Sequence, residues 1–375
     1  MELRYPTVVH FGRQAAERVT DVVHELAGPS PRVALVSTRS FASGTAAVRL
    51  RERLGALLCC QVQGVSHDPS LTDVNTLQSR FRNHQATVVV AVGGGSVIDA
   101  AKAAAAAAPF TERVEPFFHG ERTLPGPGLP LVAVPTTAGT GAEITMNAVL
   151  SDPDARVKKS LRSPFMVPAA AVVDPDLTLS MPPDLTRDSG IDAFTQAVEA
   201  RLSTAANPVS DALATQAAGL IYRHLPRAVA DGSDPEAREG MAMGSLLSAM
   251  AFSQSGLGAV HGLAHPLGHL LDLPHGYVCG VLLPHVLAWN EPVCEAPLRD
   301  LARALGLGHA RDVVPAVRRF TEELGLPRSL AADGLGREHI QHTVATCRSG
   351  SMRANPRPMS DADVREFLRQ LGAQP

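Results

Sequence analysis

The segment Thr87-Val88-Val89-Val90-Ala91-Val92-Gly93-Gly94-Gly95-Ser96 decides the fold. Thr87 to Val92 is an apolar, mostly β-branched run, the pattern of a strand covered on both faces in a parallel sheet. An Ala-rich helix is expected at 97–108. Strand, glycine turn and helix start in that order make a phosphate site, because glycines let the backbone approach an anion at which the first N–H groups of the helix point. Such turns also serve as plain connectors. The position after the strongest β run, with Ser96 at the helix start, favours a nucleotide role. The segment lacks G-x-G-x-x-G, so it is not the standard dinucleotide fingerprint.

Upstream of this segment, residues 5–11 alternate as a short strand ended by Gly12, and Ala15 to Leu26 has helical spacing. Arg32 to Val36 is a second buried-strand run. Helices are expected at 43–57 and 71–84, on either side of a weaker strand at 60–65. Downstream, Leu129 to Val134 reads as a strand running into Pro135-Thr136-Thr137-Ala138-Gly139-Thr140-Gly141-Ala142-Glu143. Its hydroxyls and glycines suit phosphate or ribose, and also suit an ordinary capped loop. Alternating strands and helices through residue ~175 indicate a doubly wound parallel sheet, an α/β fold.

Composition shifts near 174–184, where Asp174-Pro175-Asp176 and Met181-Pro182-Pro183-Asp184 mark a boundary. The expected domains are 1–179, binding a nucleotide, and 180–375, all-helical. In the second, helical spacing recurs at 186–203, 207–226, 234–256, 258–271, 278–289, 297–306, 311–324, 337–346 and 361–371.

The helical half carries His261, His265 and His269 at four-residue intervals, then His275 after Asp272-Leu273-Pro274. The first three share a helix face, and a turn is expected to fold His275 back toward them. Buried or solvated helix histidines are the alternative. Four in fifteen residues instead suit a divalent cation, for which neutral imidazole is the commonest ligand. Asp192 and Gln196, four apart in the 186–203 helix with Glu199 close by, supply oxygen. One carboxylate, two imidazoles and an open position form a catalytic metal shell.

The chain is long enough for two domains, and 45% of its 375 residues are hydrophobic. Lys+Arg 34 against Asp+Glu 37 gives a net charge of -3, and aromatics are 4%, so nothing asks for nucleic acid or an anionic membrane. Five cysteines without a C-x-x-C pair indicate a reducing compartment. The Ala-rich run is far short of the ~20 residues of a membrane span, and the start has no apolar signal core. A cytoplasmic protein is expected.

Taken together, Gly93 to Lys102, Pro135 to Glu143, Asp174-Pro175, the 190–200 helix, the His261–His275 block and Asn355-Pro356-Arg357-Pro358 closely resemble the iron-containing (group III) alcohol dehydrogenases. The match is collinear over essentially the whole chain. The resemblance implies an NAD(P)-binding α/β domain and a helical metal-binding domain holding Fe²⁺ or Zn²⁺, with the active site in the cleft between them. It implies Gly94, Gly95 and Ser96 at the pyrophosphate, and Thr136, Thr137 and Thr140 at neighbouring cofactor groups. Asn147 and Lys158 match further nucleotide contacts, and Asp99 lies near the nicotinamide. Asp192, His261 and His275 match metal ligands, and His265 matches the His beside the reacting carbon. The implied reaction interconverts a small alcohol and its aldehyde or ketone by hydride transfer. Many members self-associate, so a homo-oligomer is an expectation of the resemblance.

Two positions depart from the family pattern. The fourth metal ligand is ordinarily a His four residues after the Asp, and here it is Gln196, expected as a weak or water-mediated ligand. The acidic residue that commonly reads the adenosine ribose is replaced by Ser37-Thr38-Arg39-Ser40, which opens the site at Thr38 to NADP. His269 is an additional histidine. The rival readings are a metal-independent reductase of the maleylacetate reductase kind, a lyase of the dehydroquinate synthase type, and a nucleotide-binding protein that has lost catalysis. Lys158, Lys159 and Arg162 suit either an anionic aldehyde or a solvated basic turn.

Overall fold

A computed structural model describes Leu3, residues 5–155 and residues 157–372. The chain divides into two compact units. One runs to Leu179 except for Ala138–Thr140; the other comprises those three residues and the chain from Ser180 onward.

The first unit is built on a six-stranded sheet of β1 (Val8–Phe11), β2 (Val33–Ser37), β3 (Leu58–Gln63), β4 (Val88–Gly93), β5 (Leu131–Pro135) and β8 (Ala170–Val173). The strand order is β1-β8-β5-β4-β2-β3, and every pairing is parallel. Alternation along β2 and β4 explains the two-sided burial. Ala34, Val36, Val89 and Ala91 pack under the Leu71–Asn83 and Gly95–Ala107 helices. Val33, Leu35, Val88, Val90 and Val92 pack under the Val19–Ala27 and Thr45–Leu54 helices. The doubly wound parallel sheet is therefore present.

One stretch departs from the expected alternation. Between β5 and β8 the chain forms an antiparallel hairpin, β6 (Asn147–Asp152) and β7 (Val157–Arg162). Lys158, Lys159 and Arg162 lie on β7 and are not a basic turn. Lys158 pairs with Asp68 at 2.7 Å, and Lys159 lies 4.8 Å from the Phe118 ring centroid. Leu161 is the one buried residue described on β7, so the strand has no apolar alternation to betray it.

The second unit is helical. Three long helices, Pro183–Leu202, Pro208–Ala230 and Pro235–Ser255, each begin with proline at the first helical position, where no N–H is needed. Asn207 and Asp234 cap the latter two through their side-chain oxygens. Glycines bring these helices close together. A Cβ on Gly244 would lie 2.6 Å from Ile221, and one on Gly190 would lie 2.9 Å from Met241. Pro183–Leu202 is thereby buried on nearly every side. The remaining helices include Ala259–Leu271 and His275–Asn290. His275 is the first residue of its helix rather than part of a turn. No helix among the described residues is long and apolar enough to cross a membrane.

Candidate active site

In the nucleotide unit, Gly94 caps the Gly95–Ala107 helix and supplies no side-chain acceptor for its first N–H groups. None of Gly93, Gly94 and Gly95 has a positive φ. Crowding explains the first, and the second has room for little more than a methyl. A Cβ on Gly93 would lie 2.9 Å from Val97 and 3.2 Å from Thr38, and one on Gly94 would lie 3.4 Å from Thr137. The structure thus brings Thr38 and Thr137 to the glycine turn. The Thr136 amide donates to Gly93 O at 3.0 Å, tying the second loop to the first.

Other expected cofactor residues are engaged within the protein. Ser96 Oγ donates to His67 O, Asn147 Oδ1 accepts from Arg162 Nε at 3.0 Å, and Thr140 is exposed. Asp99 is buried, pairs with Lys102 at 3.0 Å and accepts from the Val149 amide at 2.9 Å. Burial pushes its carboxyl up despite Lys102. Its visible work is to tie the Gly95–Ala107 helix to β6.

In the helical unit, Asp192, Gln196 and Glu199 are all buried on Pro183–Leu202. Burying them is costly unless each finds a partner. Glu199 finds three. Its carboxylate accepts from the Val260 amide at 2.6 Å, from the His261 amide at 3.4 Å, and meets His261 Nδ1 at 2.7 Å. It therefore caps the Ala259–Leu271 helix from outside, which explains Gly258: a Cβ there would lie 2.7 Å from Glu199 Oε1. Asn355 Oδ1 accepts from the Ala259 amide at 3.2 Å and completes this cap. The Asn-Pro-Arg-Pro motif thereby acquires a structural role.

With Nδ1 engaged, His261 turns Nε2 toward Asp192 Oδ1 at 3.2 Å. His275 Nε2 approaches the same oxygen at 3.7 Å. The ring centroids of His261 and His275 are 5.4 Å apart, and His265 stacks on His275 at 4.7 Å. His269 lies exposed in the last turn of its helix, outside this group. Gln196 Nε2 donates to Asp192 Oδ2 at 2.9 Å, and its Oε1 is buried with no hydrogen-bond partner. Burial alone would lower the His261 pKa, but Asp192 and Glu199 outweigh it and hold it at about 10. Asp192 is pushed up by burial and drawn down further by the two imidazoles, ending below the usual carboxylate range.

Cys279 joins this group. Its Sγ lies 3.5 Å from His275 Nε2, and single ligand atoms of Asp192, His261, His275 and Cys279 all lie within 4.8 Å of one another. Its spacing of four from His275 was a readable signal, hidden because the helix was expected to begin only at 278. A carboxylate, two imidazoles and the orphaned Gln196 oxygen beside them fit a divalent cation.

Residues 6–175 match the family described as iron-containing alcohol dehydrogenase, and residues 186–372 match the C-terminal part of the Fe-containing alcohol dehydrogenase family. The chain is 38% identical over 317 residues to 1,3-propanediol dehydrogenase of Klebsiella pneumoniae, covering 82% of this chain and 81% of the relative. It is 33% identical to lactaldehyde reductase of Escherichia coli strain K12, covering 95% and 96%. The solved structure of a sulfoacetaldehyde reductase from Bifidobacterium kashiwanohense in complex with NAD+ superposes with a TM-score of 0.95 at 28% identity, covering 100% of this chain and 99% of the other.

The chain belongs to the iron-containing alcohol dehydrogenase family. It is an NAD(P)- and metal-dependent oxidoreductase that interconverts an alcohol and its aldehyde or ketone.

Proposed function

We propose that Asp192, His261 and His275 hold the divalent ion, that His265 handles the proton, and that the substrate is a small alcohol or aldehyde. The observation that carries this reading is the approach of two imidazole Nε2 atoms to the single oxygen Asp192 Oδ1. A divalent cation bound there supplies Lewis-acid polarisation of a carbonyl oxygen, while a nicotinamide supplies hydride. Glu199 fixes the His261 ring so that Nε2 is the ligating nitrogen. Gln196, through its amide N–H on Asp192 Oδ2, leaves Oδ1 to face the imidazoles. The exposure of His265 and its stacking on His275 support a role in passing a proton between substrate oxygen and water.

The chain from Ser180 onward is the proposed metal domain, and the chain up to Leu179 the proposed nucleotide domain. The glycine turn beside Thr38 and Thr137 is the proposed pyrophosphate cradle, with Gly95, Ser96, Thr136, Thr140, Asn147 and Lys158 as further contacts. A short substrate is supported by relatives named for 1,3-propanediol and lactaldehyde. Five free cysteines fit a reducing, cytoplasmic setting. At the ends of β2 and β3, Arg39 lies against Gly64, with no acidic side chain from Ser37 to Ser40. That arrangement supports acceptance of a 2′-phosphate and hence of NADPH.

The test is oxidation of NADH and NADPH with short aldehydes, including lactaldehyde and 3-hydroxypropanal, against a long-chain aldehyde. Turnover of the short aldehydes with both cofactors is expected. A clear preference for the long chain contradicts the substrate class, and kcat/KM more than about 100-fold higher for NADH, or ~2.7 kcal/mol, contradicts the cofactor reading.

A further inference from the structure

We propose that Cys279 is itself a metal ligand, so that the ion is held by one carboxylate, two imidazoles and one thiolate. This rests on the reading that Asp192, His261 and His275 bind the ion. A buried cysteine ordinarily packs as a small apolar side chain. Cys279 is fully buried, yet its sulfur lies 3.5 Å from His275 Nε2 and within 4.8 Å of ligand atoms on Asp192 and His261.

Helix packing explains how it reaches them. His275 and Cys279 are four apart in His275–Asn290 and so share a face. Gly276 and Gly280, each the next residue along, press that helix onto Pro183–Leu202. A Cβ on Gly276 would run into Asp188 O, and one on Gly280 would lie 3.0 Å from Ile191 Cγ1. The face bearing His275 and Cys279 is thereby clamped level with Asp192.

Gln196 supplies an independent observation. It turns an amide N–H, which cannot ligate, toward Asp192, and its buried Oε1 has no partner. A buried acceptor with no protein partner, on the side chain bonded to Asp192, fits a cation at this cluster, and the fourth donor to that ion is the sulfur on another helix. On binding, the Sγ–metal bond forms as the thiol proton leaves to solvent, with no change of oxidation state. A thiolate in the shell favours zinc or cobalt over iron, compared with an all-nitrogen-and-oxygen set.

Cobalt tests this directly. The chelated full-length protein is titrated with Co²⁺ and its absorption recorded. A near-ultraviolet thiolate-to-cobalt band saturating at about one ion per chain is expected. In Cys279→Ser that band should vanish while the visible cobalt bands persist, with affinity reduced at least ~10-fold. Gln196→Ala should keep the near-ultraviolet band. Should Cys279→Ser fail to fold, cobalt X-ray absorption of the loaded wild type decides, since a sulfur scatterer must appear in the metal's first shell. Visible cobalt bands without the near-ultraviolet band, or a cobalt first shell with no sulfur scatterer, overturn the thiolate and leave the other three ligands standing. No cobalt binding at all overturns the metal site and the thiolate together.

Discussion

Glu199 Oε2 lies 2.7 Å from His261 Nδ1, and this contact decides which face of the imidazole is offered to a metal. The same carboxylate accepts from the Val260 amide, so the orientation of His261 and the start of its helix are fixed by one group. Removing it affects both. Glu199→Gln should lower metal affinity by roughly 10- to 100-fold, the usual effect of losing an outer-shell partner of a ligating histidine. Competition with a chromophoric chelator measures this, and unchanged affinity in the folded variant would show that His261 needs no such orientation.

The close packing of Gly276 on Asp188 predicts a coupled loss. Gly276→Ala places a methyl against Asp188 O, so the His275–Asn290 helix must shift away from Pro183–Leu202. Such overpacking costs about 1–3 kcal/mol. Because His275 precedes Gly276 directly, metal affinity should fall with stability. Thermal unfolding alongside metal titration checks this, and a lower Tm with intact metal affinity would separate the packing from the site.

The glycine turn yields a third expectation. Gly94→Val adds bulk beside Thr137 and blocks backbone approach to the pyrophosphate. Cofactor Kd should rise by at least ~10-fold, or about 1.4 kcal/mol. Nicotinamide fluorescence reads it directly; unchanged Kd removes this turn from the site.

Protons compete with the ion at His261. In the metal-free protein its pKa is raised to about 10, so the proton is held at neutral pH and released only as pH rises through that value. A metal must displace it. Binding at pH 7–8 should therefore release at least about one proton per ion, and apparent affinity should climb with pH toward 10. Calorimetry in buffers of different ionisation enthalpy counts those protons, and zero release contradicts the assignment of His261 as a ligand.

Much of this was legible in the sequence because burial left a signal there. The β2 and β4 runs, the glycine turn and the nine helical segments are places where apolar periodicity and local chemistry agree. The β6–β7 hairpin was not legible, since Lys158, Lys159 and Ser160 of β7 are polar on both sides. The helix start at His275 was missed because His-Gly-Tyr carries no apolar period, although Pro274 before it suits a helix boundary. That miss concealed Cys279. The partner of Glu199 was beyond reach for another reason: a contact across 62 residues is set by helix packing, not by local pattern.

Metal content and activity measured on one preparation test the central claim most directly. The account predicts about one divalent ion per chain, carbonyl reduction that falls as chelation removes it and returns when it is restored, and neither ion nor activity in His261→Ala or His275→Ala. Wild-type enzyme that stays fully active when metal-free would contradict it and favour metal-independent reduction.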